Sequence, residues 1–327
     1  MNTSAVRYLP HSGFWAAYFV TMRPYLLFVS GSAGAVGLSF VQSAQWTSIL
    51  PAFVVLFLSY GFGQALTDCF QTDTDAISSP YRPLVRGLIT RWQVVVTSLF
   101  GLAVSAVVLA ELNPVLLLLG AIAVVGLIAY TPFKRRWWGG PLWNSWIVAL
   151  LPIIGWLSNP RNHLADLFQI SNPISLPFWA SVATVFFAYA NFVVMGYFKD
   201  ISADRKTGYQ TLPVVFGWRT AAICSDILAA AAALSAGVAV AARTHAQVIP
   251  MAILGLGFSV SIVAQIGIHR VREETRTHKP ISHVVRVFLL YCMAVIAGNE
   301  SSWIPLGILY YELFELALQS RPEKSQV

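Results

Sequence analysis

The sequence predicts an all-α, polytopic membrane protein, and three observations carry this prediction. The 327 residues are 57% hydrophobic and only 11% charged, whereas soluble domains carry about a quarter charged residues. The mean hydropathy is +0.65. The apolar residues also form long segments separated by short polar loops, and a helix of about 20 apolar residues crosses a bilayer.

Nine apolar segments are predicted to span the membrane. They cover residues 14–41, 46–67, 92–112, 114–133, 140–158, 174–199, 218–241, 247–268 and 282–298. A further segment, 301–319, contains Glu312 and Glu315 among leucine, tyrosine and phenylalanine residues. This segment could form a tenth span or an amphipathic helix that lies at the membrane surface.

Lysine and arginine residues occur mainly in alternate loops, which predicts the orientation of the chain. One set of loops, together with the N-terminal segment, carries Arg7, Arg23, Arg82, Arg86, Arg91, Lys134, Arg135, Arg136, Lys199, Arg205, Lys206, Arg219, Arg270, Arg272, Arg276 and Lys279. The opposite loops carry only Arg161 and Arg243. The positive-inside rule therefore predicts that the first set faces the cytoplasm. The net charge of +7 is then explained by an anionic membrane face rather than by nucleic acid.

The sequence argues against several other kinds of site. The three cysteines are odd in number and show no CxxC or Cys/His spacing, so neither a disulfide framework nor a zinc site is predicted. No Walker loop, HExxH helix or serine elbow occurs. The chemistry must therefore come from other polar residues.

Two polar loops interrupt the apolar sequence and resemble each other. Residues 67–87 and 197–217 each carry aspartates after an apolar segment, then basic residues, then a pair of leucine and proline, then a glycine. The loops lie four spans apart, which predicts two halves, 14–133 and 140–268, related by a parallel repeat. The C-terminal helices of 282–319 follow these halves.

The aspartates of both loops have a spacing that suits metal ligands on a helix. Asp200 and Asp204 are four residues apart, so their carboxylates would share one face and could hold a magnesium ion. Asp68, Gln71 and Asp75 share a face in the same way, at steps of three and four residues. Each loop therefore offers oxygen atoms to a divalent cation.

Basic residues beside these aspartates could bind the oxygens of a phosphate group. Lys199 and Arg205 flank the second set of aspartates, while Arg82 and Arg86 follow the first. Carboxylates close to a membrane core are costly unless other groups offset their charge. Two such clusters that face each other would form a site for a divalent metal bridged to a diphosphate. The alternative is that these charges are solvated loop residues that pair with one another.

These residues resemble the motifs of the UbiA-type intramembrane prenyltransferase superfamily, and the resemblance covers nearly the whole chain as a single domain, 1–327. The first loop resembles the family pattern at Asp68, Asp75, Pro80, Arg82, Pro83, Leu84 and Gly87. The second loop does so at Lys199, Asp200, Asp204, Arg205, Gly208, Thr211, Leu212 and Pro213. Two smaller features of the family resemble Arg23 and Pro24 in the first span and Tyr130, Lys134 and Asn144 around the loop after the fourth span.

The resemblance implies a fold, a reaction and a site. The fold is a bundle of about nine transmembrane helices around a central cavity, which the two loops cap on the cytosolic side. The reaction is the Mg²⁺-dependent transfer of an isoprenyl group from a prenyl diphosphate to a small aromatic or lipophilic acceptor within the membrane. The expected metal ligands are Asp68, Gln71, Asp75, Asp200 and Asp204, of which Asp75, Asp200 and Asp204 are also expected to be catalytic. The expected substrate-binding residues are Arg23, Arg82, Tyr130, Lys134, Asn144, Tyr197, Lys199 and Arg205.

Two departures from the family pattern leave alternatives open. Thr67 stands where the pattern has asparagine, and Gln71 stands where it has an aspartate. Because glutamine offers a neutral oxygen, one metal should be held more weakly unless Asp68 or Asp73 takes the place of the missing aspartate. Replacement in this motif is also a feature of the family's membrane terpene cyclases, which convert a prenyl diphosphate to a cyclic terpene without an acceptor. Cyclisation is therefore the alternative activity, and a transporter or structural membrane protein is the alternative outside enzymes.

Overall fold

The computed structural model describes residues 13–41, 46–169, 171–242 and 248–321, and over these residues the chain is helical without β-strands. Arg7 and Arg243, which contributed to the predicted orientation, lie outside the described residues. The α-helices are α1 (Phe14–Thr21), α2 (Pro24–Leu38), α3 (Trp46–Asp68), α4 (Thr72–Ser78), α5 (Arg91–Leu112), α6 (Val115–Lys134), α7 (Gly139–Leu157), α8 (Ser175–Tyr197), α9 (Ile201–Lys206), α10 (Leu212–Ala241), α11 (Val248–Arg270), α12 (His278–Asn299) and α13 (Ile304–Gln319).

Eight of these helices are long and apolar enough to cross a membrane: α3, α5, α6, α7, α8, α10, α11 and α12. The shorter apolar helix α2 packs along α3 and α7 within the same bundle. Together they account for the nine predicted spans in the described part of the chain, so the predicted all-α polytopic bundle is confirmed. Most predicted boundaries lie within a few residues of the helix ends.

The first predicted span, 14–41, is wrong as a single helix, because the chain breaks at Arg23. Arg23 has a φ of 54° in the left-handed region, a conformation that costs a residue with a side chain about 1–2 kcal/mol. Pro24 then starts α2, where its fixed φ suits the first helical position and its missing N–H leaves no bond unmade. The residue before a proline is also disfavoured in the α conformation. The break turns the Arg23 side chain toward Asp68 at the end of α3.

A second break lies within α10, at Gly217. This glycine has φ 79° and ψ 171°, so the helical path is interrupted there and resumes at Trp218. Only glycine adopts this conformation without strain. The predicted span began at residue 218, which coincides with the second part of the helix. Gly87, at the equivalent end of the first polar loop, also has a positive φ, of 69°.

Helices α8 and α12 lie in the interior of the bundle and bury most of their residues, whereas α5 and α6 bury only about a fifth of theirs. Helices α2 and α7 approach each other closely at Gly37 and Gly155. A Cβ atom at either glycine would collide with the backbone of the other helix. Small residues at such a crossing allow the two helix backbones to approach each other closely. The polar side chains of Asn191, Ser225 and Gln265 form hydrogen bonds that join α8, α10 and α11.

Helix α13 runs along α2 and α12. Near its start, the ring of Trp303 lies 5.7 Å from the ring of Trp46 at the start of α3. Farther along, Tyr310 donates a 2.8 Å hydrogen bond to the carbonyl oxygen of Phe28. Its last part holds Glu315, which accepts bonds of 2.6 and 2.8 Å from Arg286 of α12. These contacts hold α13 against the bundle, but this 16-residue helix is not among the helices long and apolar enough to cross a membrane, so neither of the two predicted alternatives is decided.

The loops that carry the basic residues meet at one end of the bundle, which we call the loop end. The backbone N–H of Gln210 donates to the carbonyl of Arg135 at 3.1 Å. The N–H of Ser202 lies 3.1 Å from both oxygens of Glu274. The loops that follow α6, α8 and α11 therefore share this end, in agreement with the loop alternation predicted from the sequence.

Candidate active site

A cavity of about 540 Å³ opens at the loop end and extends between α3, α5, α6, α7 and α8. Its mouth is lined by charged and polar side chains: Arg23, Gln64, Gln71, Asp75, Arg82, Tyr130, Lys134, Asn144, Lys199 and Asp200. Deeper in the bundle the walls consist mainly of leucine, valine, isoleucine, alanine and glycine. The cavity therefore combines a polar mouth with an apolar body, and its volume is in the range of small-molecule sites.

The two polar loops touch each other at this mouth. Helix α4 of the first loop packs against α9 of the second, and the hydroxyl groups of Thr74 and Thr207 lie 3.2 Å apart. Asp75 and Asp200 consequently line the same cavity. The two polar loops therefore meet at one cavity, as the sequence predicted.

In the first loop, the two buried aspartates are paired with arginine side chains. Asp75 accepts a hydrogen bond from Arg82, and burial raises the pKa of Asp75 while Arg82 opposes that rise. Asp68 accepts bonds of 2.9 and 3.1 Å from Arg23 and a 2.6 Å bond from the Gln64 amide. Asp68 is 2% exposed, so it lies behind the cavity wall and positions the Arg23 guanidinium.

Gln71 and Lys134 form a buried contact between the first loop and the end of α6. The Lys134 ammonium donates a 2.8 Å hydrogen bond to the Gln71 side-chain oxygen. Among the described residues, no carboxylate lies within 4 Å of this ammonium. The Tyr209 ring lies beneath it at 5.3 Å and also contacts Arg135 at 4.8 Å. The charge of Lys134 is therefore presented to the cavity without a direct counterion.

In the second loop, Asp200 faces the cavity and Asp204 lies one helical turn behind it. Burial opposes ionisation of Asp200, but Lys199, Lys134 and Arg82 together lower its pKa below the ordinary value. Asp204 accepts a 3.0 Å bond from the Thr211 hydroxyl through one oxygen. Its other oxygen is buried and has no hydrogen-bond partner among the described residues. Burial raises the pKa of Asp204 to about 6.

Residues 25–291 match the family model described as the UbiA prenyltransferase family. This match covers most of the described helices and both polar loops. The chain belongs to the UbiA prenyltransferase family. It is therefore a multi-pass membrane prenyltransferase, and the family and enzyme class expected from its motifs are confirmed.

Named relatives and solved structures agree with this membership. Digeranylgeranylglyceryl phosphate synthase of Pyrococcus abyssi is 28% identical over 218 residues, which are 64% of this chain and 73% of that protein. The chloroplastic chlorophyll synthase of Arabidopsis thaliana is 28% identical over 187 residues, 49% of this chain and 42% of that protein.

Two solved UbiA homologues share the fold. The apo structure from Aeropyrum pernix K1 has a TM-score of 0.68 at 19% identity and covers 85% of this chain and 98% of that structure. The structure from Archaeoglobus fulgidus, bound to GPP and Mg²⁺, has a TM-score of 0.63 at 19% identity. The match covers 86% of this chain and 99% of that structure. At this identity the likeness establishes the fold.

One residue predicted for the site, Arg205, is placed elsewhere by the structure. Arg205 does not line the cavity but is exposed on the outer side of α9, in a surface pocket that it shares with Arg272 and Glu273. Successive residues of a helix point about 100° apart, so the inward direction of Asp204 turns Arg205 outward. The motif spacing locates the pair on one short helix but does not give its rotation.

Two polar residues of the cavity, Gln64 and Tyr60, were not predicted as members of the site. Gln64 holds Asp68, and the Tyr60 and Tyr189 hydroxyl groups lie 3.0 Å apart on the cavity wall. The Asn144 amide donates a 3.4 Å bond to Tyr189, so the predicted residue Asn144 belongs to this cluster. Gln64 lies four residues before Asp68 on the same face of α3, whereas Gln71 follows the end of that helix, so the predicted common face of Asp68, Gln71 and Asp75 is interrupted.

The residues suit a magnesium ion at the second loop better than at the first. Magnesium takes oxygen ligands and usually relies on one or two carboxylates together with substrate phosphates. Asp204 offers a buried oxygen without a partner, and Asp200 faces the cavity. The carboxylates of the first loop are already paired with Arg23 and Arg82. Accordingly, the described residues contain no group of three acidic, histidine or cysteine side chains gathered at one point.

Proposed function

We propose that this prenyltransferase transfers an isoprenyl group from a prenyl diphosphate to a small aromatic or lipophilic acceptor, with Mg²⁺ as its cofactor. The observation that carries this proposal is the composition of the cavity at the loop end. Its mouth brings Asp75 and Asp200 together with Arg23, Arg82, Lys134 and Lys199, and its body is apolar. A diphosphate with an apolar tail matches both parts.

Basic side chains of the mouth would hold the diphosphate oxygens. Guanidinium groups bind phosphate oxygens in pairs, and ammonium groups bind them as point charges. Arg23 and Arg82 are fixed by Asp68 and Asp75, which limits the cost of ordering them when substrate arrives. Stabilising negative charge on the departing diphosphate promotes cleavage of the bond between the allylic carbon and oxygen.

Mg²⁺, held by Asp200 with Asp204 behind it, would supply further neutralisation of that charge. The apolar body of the cavity would house the prenyl tail and exclude water from the allylic cation. The faces of the Tyr60 and Tyr189 rings are suited to stabilise a nearby cation. Tyr130, Tyr197 and Asn144 also line this region, where they would contact the substrates.

The orientation and the domain organisation belong to the same proposal. The basic loops gather at the loop end, and the positive-inside rule assigns such an end to the cytoplasm. We therefore infer that the active site faces the cytoplasm. The whole chain, 1–327, would form one domain in which the halves 14–133 and 140–268 each contribute one polar loop to the mouth, followed by 282–319.

A membrane terpene cyclase is the second candidate, because Gln71 replaces an aspartate of the first motif. One experiment separates the two activities. Purified protein in nanodiscs is incubated with prenyl diphosphates of several lengths and Mg²⁺, with and without lipophilic acceptors, and the products are identified by mass spectrometry. A transferase forms a prenylated acceptor, whereas a cyclase forms a hydrocarbon when no acceptor is present. Absence of diphosphate release under all conditions would refute both.

A further inference from the structure

We propose that this chain holds one Mg²⁺ ion, on its second polar loop, and that the Lys134 ammonium occupies the place of a second ion at the first loop. The inference deepens the proposed function and rests on it. It concerns the contact between Gln71 and Lys134, which departs from the paired carboxylate motifs that the family pattern contains.

The oxygen that Gln71 offers is already in use. Gln71 and Lys134 are 6% and 9% exposed, and the ammonium donates its 2.8 Å bond to the Gln71 oxygen from the cavity side. A divalent ion at Gln71 would have to displace this ammonium and then remain beside it. Two like charges in a buried, poorly solvated site repel strongly, and a neutral amide does not offset that repulsion.

The other acidic residues of the first loop are not available as a metal-binding pair. Asp75 is bonded to Arg82, and Asp68 is held by Arg23 and Gln64. Asp73 is exposed and lies 3.4 Å from Arg135 at the surface. Within the described residues, the first loop therefore presents one arginine-bound carboxylate, that of Asp75, and the ammonium-bound amide of Gln71 to the cavity.

The second loop has the opposite character. Asp204 is fully buried and keeps one oxygen without a hydrogen-bond partner among the described residues. A buried carboxylate oxygen left unpaired is costly, and a cation that entered with the substrate would remove that cost. Asp200 lies one turn away on the same side of the loop and lines the cavity. One ion fits here.

The two loops would accordingly divide the diphosphate between them. The ion on the second loop would contact one side of the diphosphate, and the Lys134 ammonium, with Arg82, would contact the other side directly. Lys134 has no carboxylate within 4 Å in the described part of the chain, so its charge is free to act on the substrate.

The test counts bound ions directly. Mn²⁺ replaces Mg²⁺ as the probe, an unreactive prenyl thiolodiphosphate occupies the site, and equilibrium dialysis with electron paramagnetic resonance gives the number of ions per chain. We expect one ion in the wild type and none in Asp200→Asn. Two ions in the wild type would overturn the inference and leave the proposed function standing. A wild type that binds the analogue without any ion would overturn the proposed cofactor as well.

A double variant tests whether the contact between Gln71 and Lys134 is what prevents a second ion from binding at the first loop. Gln71→Glu with Lys134→Met supplies a carboxylate of the same length and removes the competing ammonium, so we expect a second ion. The matched control, Thr72→Glu with Lys134→Met, adds the same charge at the neighbouring exposed position and should retain one ion. A single ion in the Gln71→Glu double variant, or two in the control, would contradict the assignment.

Binding without metal gives an independent readout for Lys134. In the presence of a chelator, Lys134→Met should weaken binding of the analogue about tenfold to a hundredfold, because a hydrogen bond to a charged group is lost. Lys134→Arg should recover most of that loss. Equal affinity of wild type and Lys134→Met under these conditions would show that the ammonium does not contact the diphosphate.

Discussion

At the scale of single residues, the mouth of the cavity is governed by the cost of burying charge. An ionised carboxylate removed from water is destabilising unless a cation or hydrogen bonds compensate it. Asp68 and Asp75 meet this requirement with arginines, and Asp200 meets it with Lys199 at 3.4 Å. Asp204 meets it only partly. This difference identifies the position at which a cation would lower the energy most.

Replacement of Asp200 by alanine should lower prenyl transfer at least about a hundredfold, as expected when a metal ligand is removed. The fold should persist because, among the described residues, the Asp200 side chain pairs only with Lys199, its neighbour in sequence. The measurement is the rate of product formation, together with thermal unfolding in detergent. Asp73→Ala is the matched control, since Asp73 is an exposed aspartate that pairs with Arg135 at the surface, where such pairs contribute little. Undiminished activity of Asp200→Ala would refute the assignment.

The affinity for Mg²⁺ should fall when the pH drops below about 6. Burial raises the pKa of Asp204 to about 6, so this carboxylate takes up a proton as the pH falls through that value. A metal requires the ionised carboxylate, and proton and metal therefore compete. Titration with Mn²⁺ between pH 5 and 8 should show affinity decreasing toward about tenfold per pH unit at the acidic end. Asp204→Asn should bind weakly and lose this dependence; a wild type without the acidic decrease would contradict the assignment.

The sequence predicted the identity of most residues at the mouth but not their directions. Asp75, Lys134 and Asp200 follow from the motifs that the chain shares with the family, and all three line the cavity. Arg205 was also expected there but lies outside the cavity, since the rotation of α9 depends on packing against the first loop. Tyr60 was not predicted because the sequence of one apolar segment does not show which face of its helix lines a cavity. That face depends on how the helix packs against its neighbours.

At the scale of helices, hydropathy locates the spans but does not detect the breaks within them. Residues 14–41 are continuously apolar apart from Arg23, so the segment was predicted as one helix. The break arises from local backbone geometry at the residue before Pro24, a signal that was present in the sequence. At Gly217 the prediction and the break coincide. The predicted span began at residue 218, and the second part of α10 also begins there, after the non-helical Gly217.

Gly217→Ala should destabilise the protein by about 1–3 kcal/mol, since φ 79° and ψ 171° lie in a region that is strained for any residue with a Cβ atom. Space is not the reason, because a Cβ atom there would meet no atom within 4 Å. Gly237→Ala in the same helix is the control, with equally open space and helical geometry. It should be neutral or stabilising by up to about 1 kcal/mol. Thermal unfolding in detergent distinguishes them, and equal melting temperatures would contradict the strain argument.

At the scale of the whole molecule, the sequence predicted the fold class, the family and the meeting of the two loops. It could not predict the depth of the cavity, which depends on the rotation of every helix around it. The cavity extends along α5 and α6, which have the smallest buried share among the eight helices long and apolar enough to cross a membrane. There, small side chains such as Ala103, Ala106 and Gly120 line it. The length of prenyl tail that fits is therefore set by side-chain size at these positions.

Gly120→Leu should shorten the cavity and change the preference for prenyl length. Gly120 lies roughly four helical turns below Lys134 on α6, which corresponds to about 21 Å at 1.5 Å per residue. The nearest atom to an added Cβ is that of Ala106, at 3.9 Å, so leucine would project into the cavity without disturbing the helix. Geranylgeranyl diphosphate, whose tail reaches this depth, should lose about tenfold to a hundredfold in kcat/KM, the range expected when a filled site is overpacked.

Geranyl diphosphate has a shorter tail, so its kcat/KM should remain close to that of the wild type. Gly255→Leu on α11 is the control for a bulky residue in a membrane helix, because Gly255 is exposed, lies outside the cavity and has no neighbour within 4 Å. Steady-state kinetics with both donors measures the change in their ratio. If Gly120→Leu lowers both donors equally, the variant has damaged the protein generally, and the tail does not extend between α5 and α6.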